Sequence, residues 1–166
     1  MRIKDIALIG MMSAIMITAQ VALSFLPNLE LVSLLIILYT LIFGWKALYI
    51  IYVFVTVEGL IYGFGLWFIN YLYVWTVLFI IVMLLRKLHS GFLWAVISGL
   101  FGLSFGALCS IPYFITGGIA SGFAYWAQGI PFDLLHGGGN LVAALVLYQP
   151  LYYILSRLQK RMEYIH

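Results

Sequence analysis

Long apolar runs are the feature of this sequence that most restricts its fold. One of them, LWFINYLYVWTVLFIIVMLL at 66–85, contains no charged side chain. A helix needs about 20 mostly apolar residues to cross a hydrocarbon layer of about 30 Å, whereas a transmembrane β-strand alternates apolar and polar residues over about ten positions. Because the runs here are continuous rather than alternating, they predict an all-α membrane protein.

The overall composition indicates the same class. Apolar side chains make up 66% of the 166 residues and charged side chains 8%, whereas a soluble domain carries about 25% charged residues. A core of this size cannot bury so much apolar surface, so we expect the lipid bilayer to solvate most of it. No polar linker divides the chain, which predicts a single integral membrane domain over residues 1–166, passing through the cell membrane several times.

The basic residues predict the topology. Six spans are expected, at about residues 6–25, 31–44, 47–62, 66–85, 92–115 and 131–155. All eight lysines and arginines lie before the first span, at Lys46, at Arg86 and Lys87, or after the last span. Cytoplasmic segments carry such an excess, which predicts a six-transmembrane-helix bundle with cytoplasmic N- and C-termini. The same bias explains the net positive charge, so no nucleic acid partner is expected.

The segment at 129–140, GIPFDLLHGGGN, holds three polar side chains in an apolar context. Asp133, His136 and Asn140 are spaced i, i+3 and i+7, which places them on one face of a helix. Pro131 is suited to the first turn of that helix, so residues 116–130 are expected to form the longest connection. Asp133 in a first turn could also simply complement the helix dipole. The glycines at 137–139 could make room for a ligand or allow a tight helix crossing.

Other polar and aromatic residues are expected at the same, outer end of the bundle. Glu58 lies in the outer half of the third span, where an unpaired carboxylate is costly and is therefore a functional candidate. Tyrosines and tryptophans there could anchor the chain at the membrane interface, or they could line a small-molecule pocket rather than an ion pore. The candidate binding residues are Glu58, Trp67, Asn70, Tyr71, Tyr113, Trp126, Asp133, His136 and Asn140.

Several chemistries have no motif in this sequence. There is no phosphate-binding P-loop, no G-x-S-x-G and no H-E-x-x-H. Asp133 and His136 have no cysteine or second histidine nearby in sequence, so neither a metal site nor a cofactor is expected. We do not expect an enzyme. The alternatives are a small membrane enzyme that uses Asp133 and His136 as an acid–base pair, and a stand-alone carrier or channel.

Small residues form a strip along the first span. Ala7, Gly10 and Ala14 share one helix face, and Gly10 and Ala14 have the small-xxx-small spacing that lets another helix approach closely. The helix that approaches could belong to the same bundle or to a partner protein.

Taken together, these features resemble the substrate-binding S components of energy-coupling factor (ECF) vitamin transporters. The resemblance covers the whole chain, through its size, six spans, small-residue strip, the run ELVSLLIILYTLIFG at 30–44 and the run IPFDLLHGGGN at 130–140. It implies capture of a vitamin at the outer face and assembly with a membrane coupling subunit and two cytoplasmic ATPases. It further implies that the strip packs on the coupling subunit while the S component topples in the membrane. Gly10 stands where the family usually has alanine.

The resemblance also limits the substrate. Metal-transporting relatives use a histidine near the N-terminus, and Arg2 stands there in this chain, which argues against nickel or cobalt ions. The outer end holds Glu58 and Asp133 but no basic residue, which disfavours a strongly anionic ligand. The aromatic residues favour a flat or bulky organic molecule. Cobalamin or another corrinoid is the expected substrate, with a queuosine precursor or another vitamin as the alternative.

Overall fold

A computed structural model describes residues 2–26 and 28–164 of the chain. In this part of the chain the regular structure is entirely helical, which confirms the predicted all-α class. The six helices are α1 (Ile3–Leu23), α2 (Val32–Phe43), α3 (Lys46–Tyr62), α4 (Leu66–Leu85), α5 (Gly91–Cys109) and α6 (Ile111–Tyr164).

Four of these helices, α1, α4, α5 and α6, contain segments long and apolar enough to cross a membrane. Many of their large apolar side chains are exposed on the outside of the bundle, including Ile3, Leu84 and Ile115, which are 77–85% exposed. Water would solvate such an apolar surface poorly, whereas lipid would solvate it well. The structure is therefore compatible with a helical membrane protein.

Helix α2 is the central helix of the bundle. It has 12 residues, which corresponds to about 18 Å at 1.5 Å per residue, and every residue from 32 to 40 is buried. It packs against each of the other five helices. A helix that is apolar on all sides is expected to be enclosed in this way. Its short length places its first residue below the surface of the bundle, beside the middle of α6.

Helices α1 and α3 pack side by side and are linked by polar contacts. The Lys46 ammonium lies 2.7 Å from an Asp5 carboxylate oxygen, and the Ser13 hydroxyl donates a hydrogen bond to the Ile50 carbonyl at 3.1 Å. The ion pair ties the start of α1 to the start of α3. This end of the bundle is called the lysine end below.

Glycines let α5 and α6 cross with their backbones in contact. A Cβ atom added to Gly102 would lie 2.8 Å from the Gly137 Cα, and one added to Gly137 would lie 2.9 Å from the Gly99 carbonyl oxygen. Neither residue could carry a side chain without moving the helices apart. Of the two interpretations of the 137–139 glycines, tight helix crossing therefore holds for Gly137. A Cβ at Gly138 would meet nothing within 4 Å.

The predicted connection at 116–130 is wrong, because most of this segment is helical. The helical stretch runs from Ile111 to Tyr164 with one break at Gly118, where φ is 77° and ψ is −178°. A positive φ is the conformation that glycine adopts at little steric cost. Apart from this break, the small and apolar residues at 119–130 continue the helix, and the fifth helix ends at Cys109 rather than at 115.

Pro131 lies inside α6 rather than at its start, so the expected helix beginning at 131 is also wrong. A proline removes one backbone hydrogen bond, and neighbouring groups in a membrane bundle can compensate for this loss. Asp133 consequently lies more than three turns after the break at Gly118 and is not in a first turn. The helix-dipole interpretation of Asp133 is wrong for the same reason.

Candidate functional site

A cavity of about 660 Å³ lies at the end of the bundle opposite the lysine end. Its wall is built from the end of α1, the loop before α2, the end of α3, the first half of α4, the end of α5 and the middle of α6. This volume is typical of sites that enclose small organic molecules. We call this end of the bundle the cavity end.

Five of the nine predicted binding residues line the cavity. They come from the consecutive helices α3 and α4 and from the distant helix α6, and they are Glu58, Trp67, Tyr71, Asp133 and His136. Asp133, His136 and Asn140 are all buried on the same side of α6, as their spacing predicts. The remaining four predicted residues, Asn70, Tyr113, Trp126 and Asn140, lie close to the cavity wall in sequence but do not line it.

His136 and Asn140 join α6 to the start of α2. The His136 Nε2 atom lies 3.2 Å from Glu30 Oε1, and the Asn140 amide donates a hydrogen bond to the Ser33 hydroxyl at 3.1 Å. Glu30 in turn accepts hydrogen bonds from the Ser33 backbone N–H at 2.8 Å and from the Ser33 hydroxyl at 2.5 Å. These four residues form one buried network, which we call the α2–α6 network.

The network determines the electrostatics of Glu30. Burial opposes ionisation of this side chain, but the hydrogen bond and the charge interaction with His136, together with the hydrogen bonds from Ser33, outweigh burial and lower the pKa of Glu30. A carboxylate that accepts several hydrogen bonds is stabilised in its charged form. The hydrogen-bonding capacity of the Glu30 carboxylate is therefore largely used within the protein, and little of it remains for a ligand.

Glu58 and Asp133 differ from Glu30, because each keeps a buried oxygen without a partner. Glu58 is 3% exposed and Asp133 is 7% exposed. Asp133 Oδ1 accepts a hydrogen bond from the Gly106 backbone N–H at 2.9 Å. Asp133 Oδ2 and Glu58 Oε1 have no hydrogen-bond partner among the described residues. Buried polar atoms are normally paired, so these two oxygens are candidates for contact with a ligand.

Aromatic rings form a continuous wall along one side of the cavity. Successive ring centroids lie 5.3 Å apart between Trp67 and Tyr71, 5.4 Å between Tyr71 and Trp75, and 5.4 Å between Trp75 and Phe105. Phe105 meets the imidazole of His136 at 4.8 Å. Most of these pairs are edge-to-face or tilted, which locks each ring in place. The wall therefore offers fixed aromatic surfaces to a ligand.

The predicted residues outside the wall have structural contacts instead. Asn70 is buried, with its Oδ1 atom 3.1 Å from the Tyr73 hydroxyl, which also lies 2.6 Å from the Leu108 carbonyl. Tyr113 stacks on Tyr125 at a centroid distance of 4.0 Å, and Tyr125 lines the cavity. Tyr113 therefore packs against a lining residue without lining the cavity itself.

Trp126 is 38% exposed on the outside of α6. Its ring lies 6.3 Å from that of Phe123, which is also exposed. This position suits the interface-anchor interpretation of tryptophan better than ligand contact.

Several lining residues were not predicted from the sequence. Glu30 is the most consequential, and Phe105, Trp75 and Gln20 also line the cavity. The signal for Glu30 was available, since it is an acidic residue directly before an uncharged apolar helix. Its partner His136 could not be inferred, because the pair depends on how α2 and α6 pack.

The small-residue strip faces away from the bundle. Ala7, Gly10 and Ala14 are all exposed, and a Cβ at Gly10 would meet nothing within 4 Å. Of the two interpretations of the strip, packing within the bundle is therefore not what the structure shows. The exposed strip is available to lipid or to a partner.

Asp133 and His136 bond to different groups, the Gly106 N–H and Glu30 respectively. In the described part of the chain, no group of three or more histidine, cysteine, aspartate or glutamate residues could hold a metal ion.

Comparison of the chain with protein-family models, with curated proteins and with solved structures finds no match.

Proposed function

We propose that this chain is the substrate-binding S component of an ECF-type ABC importer in the cell membrane. In this proposal the chain crosses the membrane six times with both termini in the cytoplasm, the cavity end faces outward, and the cavity captures a vitamin or related micronutrient. A coupling subunit and two ATPase subunits then supply the energy for toppling and release. The chain acts as a binding subunit and not as an enzyme.

The observation that carries this proposal is the separation of two surfaces on one small bundle. A cavity with aromatic walls and buried carboxylates lies at one end. An exposed strip of small residues runs along α1 on the outside. A substrate-binding subunit that depends on a partner for energy needs both a ligand site and a smooth surface for close helix contact.

The cavity volume bears on which vitamin is captured. At about 660 Å³, the cavity has room for a molecule of the size of a queuosine precursor. A corrinoid such as cobalamin is larger and would have to extend out of the cavity towards the outer surface. Cobalamin remains a candidate on the family resemblance, and the cavity volume favours the smaller alternative.

Reconstitution with the other subunits tests the proposal. The isolated protein should bind its substrate, and uptake into liposomes or cells should require the coupling subunit, the ATPases and ATP. Mass spectrometry of small molecules that co-purify with the protein would identify the substrate directly. Uptake by the chain alone without ATP would favour a stand-alone carrier, and conversion of a co-purified molecule would favour an enzyme.

Substitutions in the strip separate coupling from binding. Gly10→Leu and Ala14→Leu should abolish uptake while substrate binding is retained, because a bulky side chain prevents close approach of the coupling subunit. Gly138→Leu is a matched control on α6, where a Cβ meets nothing within 4 Å. Lost binding with intact assembly in the α1 variants would contradict the proposal.

A further inference from the structure

The cavity has an unbalanced charge. Three carboxylates line it, Glu30, Glu58 and Asp133, whereas among residues 2–26 and 28–164 His136 is the one lining residue with a titratable nitrogen, and no lysine or arginine of these ranges lines it. His136 is already engaged with Glu30. Two carboxylates therefore face the cavity without a basic partner.

The geometry of these two carboxylates makes the imbalance significant. Each side chain is more than nine-tenths buried, and each has one oxygen without a hydrogen-bond partner among the described residues. A buried, ionised carboxylate is stable only when hydrogen-bond donors or an opposite charge compensate for its lost hydration. Glu58 lies on α3 and Asp133 on α6, so a ligand that satisfied both would bridge the two helices across the cavity.

The aromatic wall adds a second preference in the same direction. Trp67, Tyr71 and Trp75 all line the cavity, and they pack against one another edge-to-face. Aromatic rings attract cations through their negatively polarised faces and stack on planar ligands. A ligand that is both flat and positively charged would gain from the carboxylates and from the rings together.

We propose that this cavity binds a planar, nitrogen-containing aromatic cation whose N–H groups donate hydrogen bonds to Glu58 and Asp133. Its role as the transported molecule rests on the proposed function, whereas its charge and shape rest on the cavity alone. The ligand supplies the counter-charge that the protein does not, so an empty cavity is electrostatically incomplete. Neutral and anionic ligands of the same size are selected against because they leave the two carboxylates unpaired.

Three probes with the same ring test the charge preference. Benzamidine, benzamide and benzoate carry a positive charge, no charge and a negative charge on otherwise similar planar molecules. Each is added at millimolar concentration to the full-length protein in detergent, and binding is measured by the shift in the thermal unfolding midpoint and by calorimetry. We expect benzamidine to bind about tenfold more tightly than benzamide, because hydrogen bonds from a cationic donor to a carboxylate are stronger than those from a neutral donor. Benzoate should bind most weakly.

Conservative variants then assign the preference to the two carboxylates. Glu58→Gln and Asp133→Asn should each reduce benzamidine binding about tenfold and bring it close to that of benzamide. Asp5→Asn is the matched control, because this carboxylate lies at the lysine end, paired with Lys46. The comparison of the three probes on the unmodified protein decides the charge class even where a variant fails to fold.

The proposal is overturned if benzamide or benzoate binds as tightly as benzamidine, or if none of the three binds at millimolar concentration. These measurements use the isolated protein and no ATPase. A protein that prefers the cation but shows no ATP-dependent uptake would therefore contradict the proposed function while leaving the ligand class intact. ATP-dependent uptake without a cation preference would support the proposed function and contradict the proposed ligand class.

Discussion

The Oε1 atom of Glu30 lies 3.2 Å from the Nε2 atom of His136, although 106 positions separate the two residues in the chain. The contact ties the loop before α2 to the middle of α6, and both residues line the cavity. Because both side chains are buried, the interaction is little screened by water. This single pair therefore holds together two parts of the wall that the chain itself does not connect.

Removal of one member of this pair should destabilise the protein. We expect Glu30→Ala to lower the free energy of unfolding by about 3 kcal/mol, because it leaves His136 and the Ser33 N–H buried without their acceptor. Glu30→Gln should cost less, since an amide oxygen can still accept from Ser33. Thermal unfolding in detergent, followed by circular dichroism, measures both. An unchanged midpoint in Glu30→Ala would show that the network contributes no net stability.

The lowered pKa of Glu30 predicts a dependence of stability on pH. Its ordinary pKa is 4.5 and the folded value is lower, so the carboxylate contributes stability that is fully present above pH 4.5. This contribution is lost as the pH falls from 4.5 through the folded pKa. The stability difference between the wild type and Glu30→Gln should therefore shrink on acidification from about pH 7 to about pH 3. A difference that stays constant over this range would show that Glu30 is not held as an anion.

Much of the helical framework could be predicted from the sequence, because apolar runs bounded by charges or glycine turns are local signals. The span expected at 66–85 coincides with α4 (Leu66–Leu85). The failure at 116–130 has a physical reason. Glycine and polar aromatic residues suggest a loop in water, but most of this segment is exposed apolar helix of the kind that lipid can solvate, and only Gly118 breaks the helix.

The site was partly predictable for a similar reason. The common face of Asp133, His136 and Asn140 follows from helix geometry, and buried Glu58 follows from its depth in an apolar run. The role of Glu30 depends on packing between helices that are distant in sequence. The same packing determines which polar residues line the cavity and which form hydrogen bonds within the protein. Asn140 resembled a ligand-binding residue in sequence, yet its amide is directed to Ser33.

The glycine crossing between α5 and α6 gives a matched pair of substitutions. Gly137→Ala should destabilise the protein by about 2 kcal/mol through overpacking, since its Cβ would lie 2.9 Å from the Gly99 carbonyl oxygen. Gly138→Ala meets nothing within 4 Å and should stabilise the helix by about 1 kcal/mol. Unfolding midpoints of the two variants give the comparison. Equal effects would show that the two helices do not cross in contact at Gly137.

The break in α6 provides a test of backbone conformation alone. Gly118 has a φ of 77°, and a Cβ there would meet nothing within 4 Å. Gly118→Ala should therefore cost about 1–3 kcal/mol, because a positive φ with an extended ψ is adopted almost only by glycine, and not because of packing. Gly129→Ala is the matched control within the continuous helix, where alanine should be stabilising. If Gly118→Ala were as stabilising as Gly129→Ala, the helix would be continuous through 118.

Gly106 positions the Asp133 carboxylate, and this relationship yields a prediction for ligand binding. The Gly106 N–H donates to Asp133 Oδ1 at 2.9 Å, and a Cβ on Gly106 would lie only 2.7 Å from the same oxygen. Gly106→Ala should therefore displace the carboxylate and weaken benzamidine binding about tenfold. The unfolding midpoint should change little, because the Asp133 side chain can rotate away from the new methyl group and the helix backbones need not move.

Gly138→Ala serves as the control for this substitution, since it adds the same methyl group to a helix at an open position. Calorimetry with benzamidine on the two variants and the wild type measures the effect. Weakened benzamidine binding with unchanged benzamide binding would show that Gly106 acts through the charge of Asp133. An equal loss for both probes would instead mean that the methyl group merely narrows the cavity.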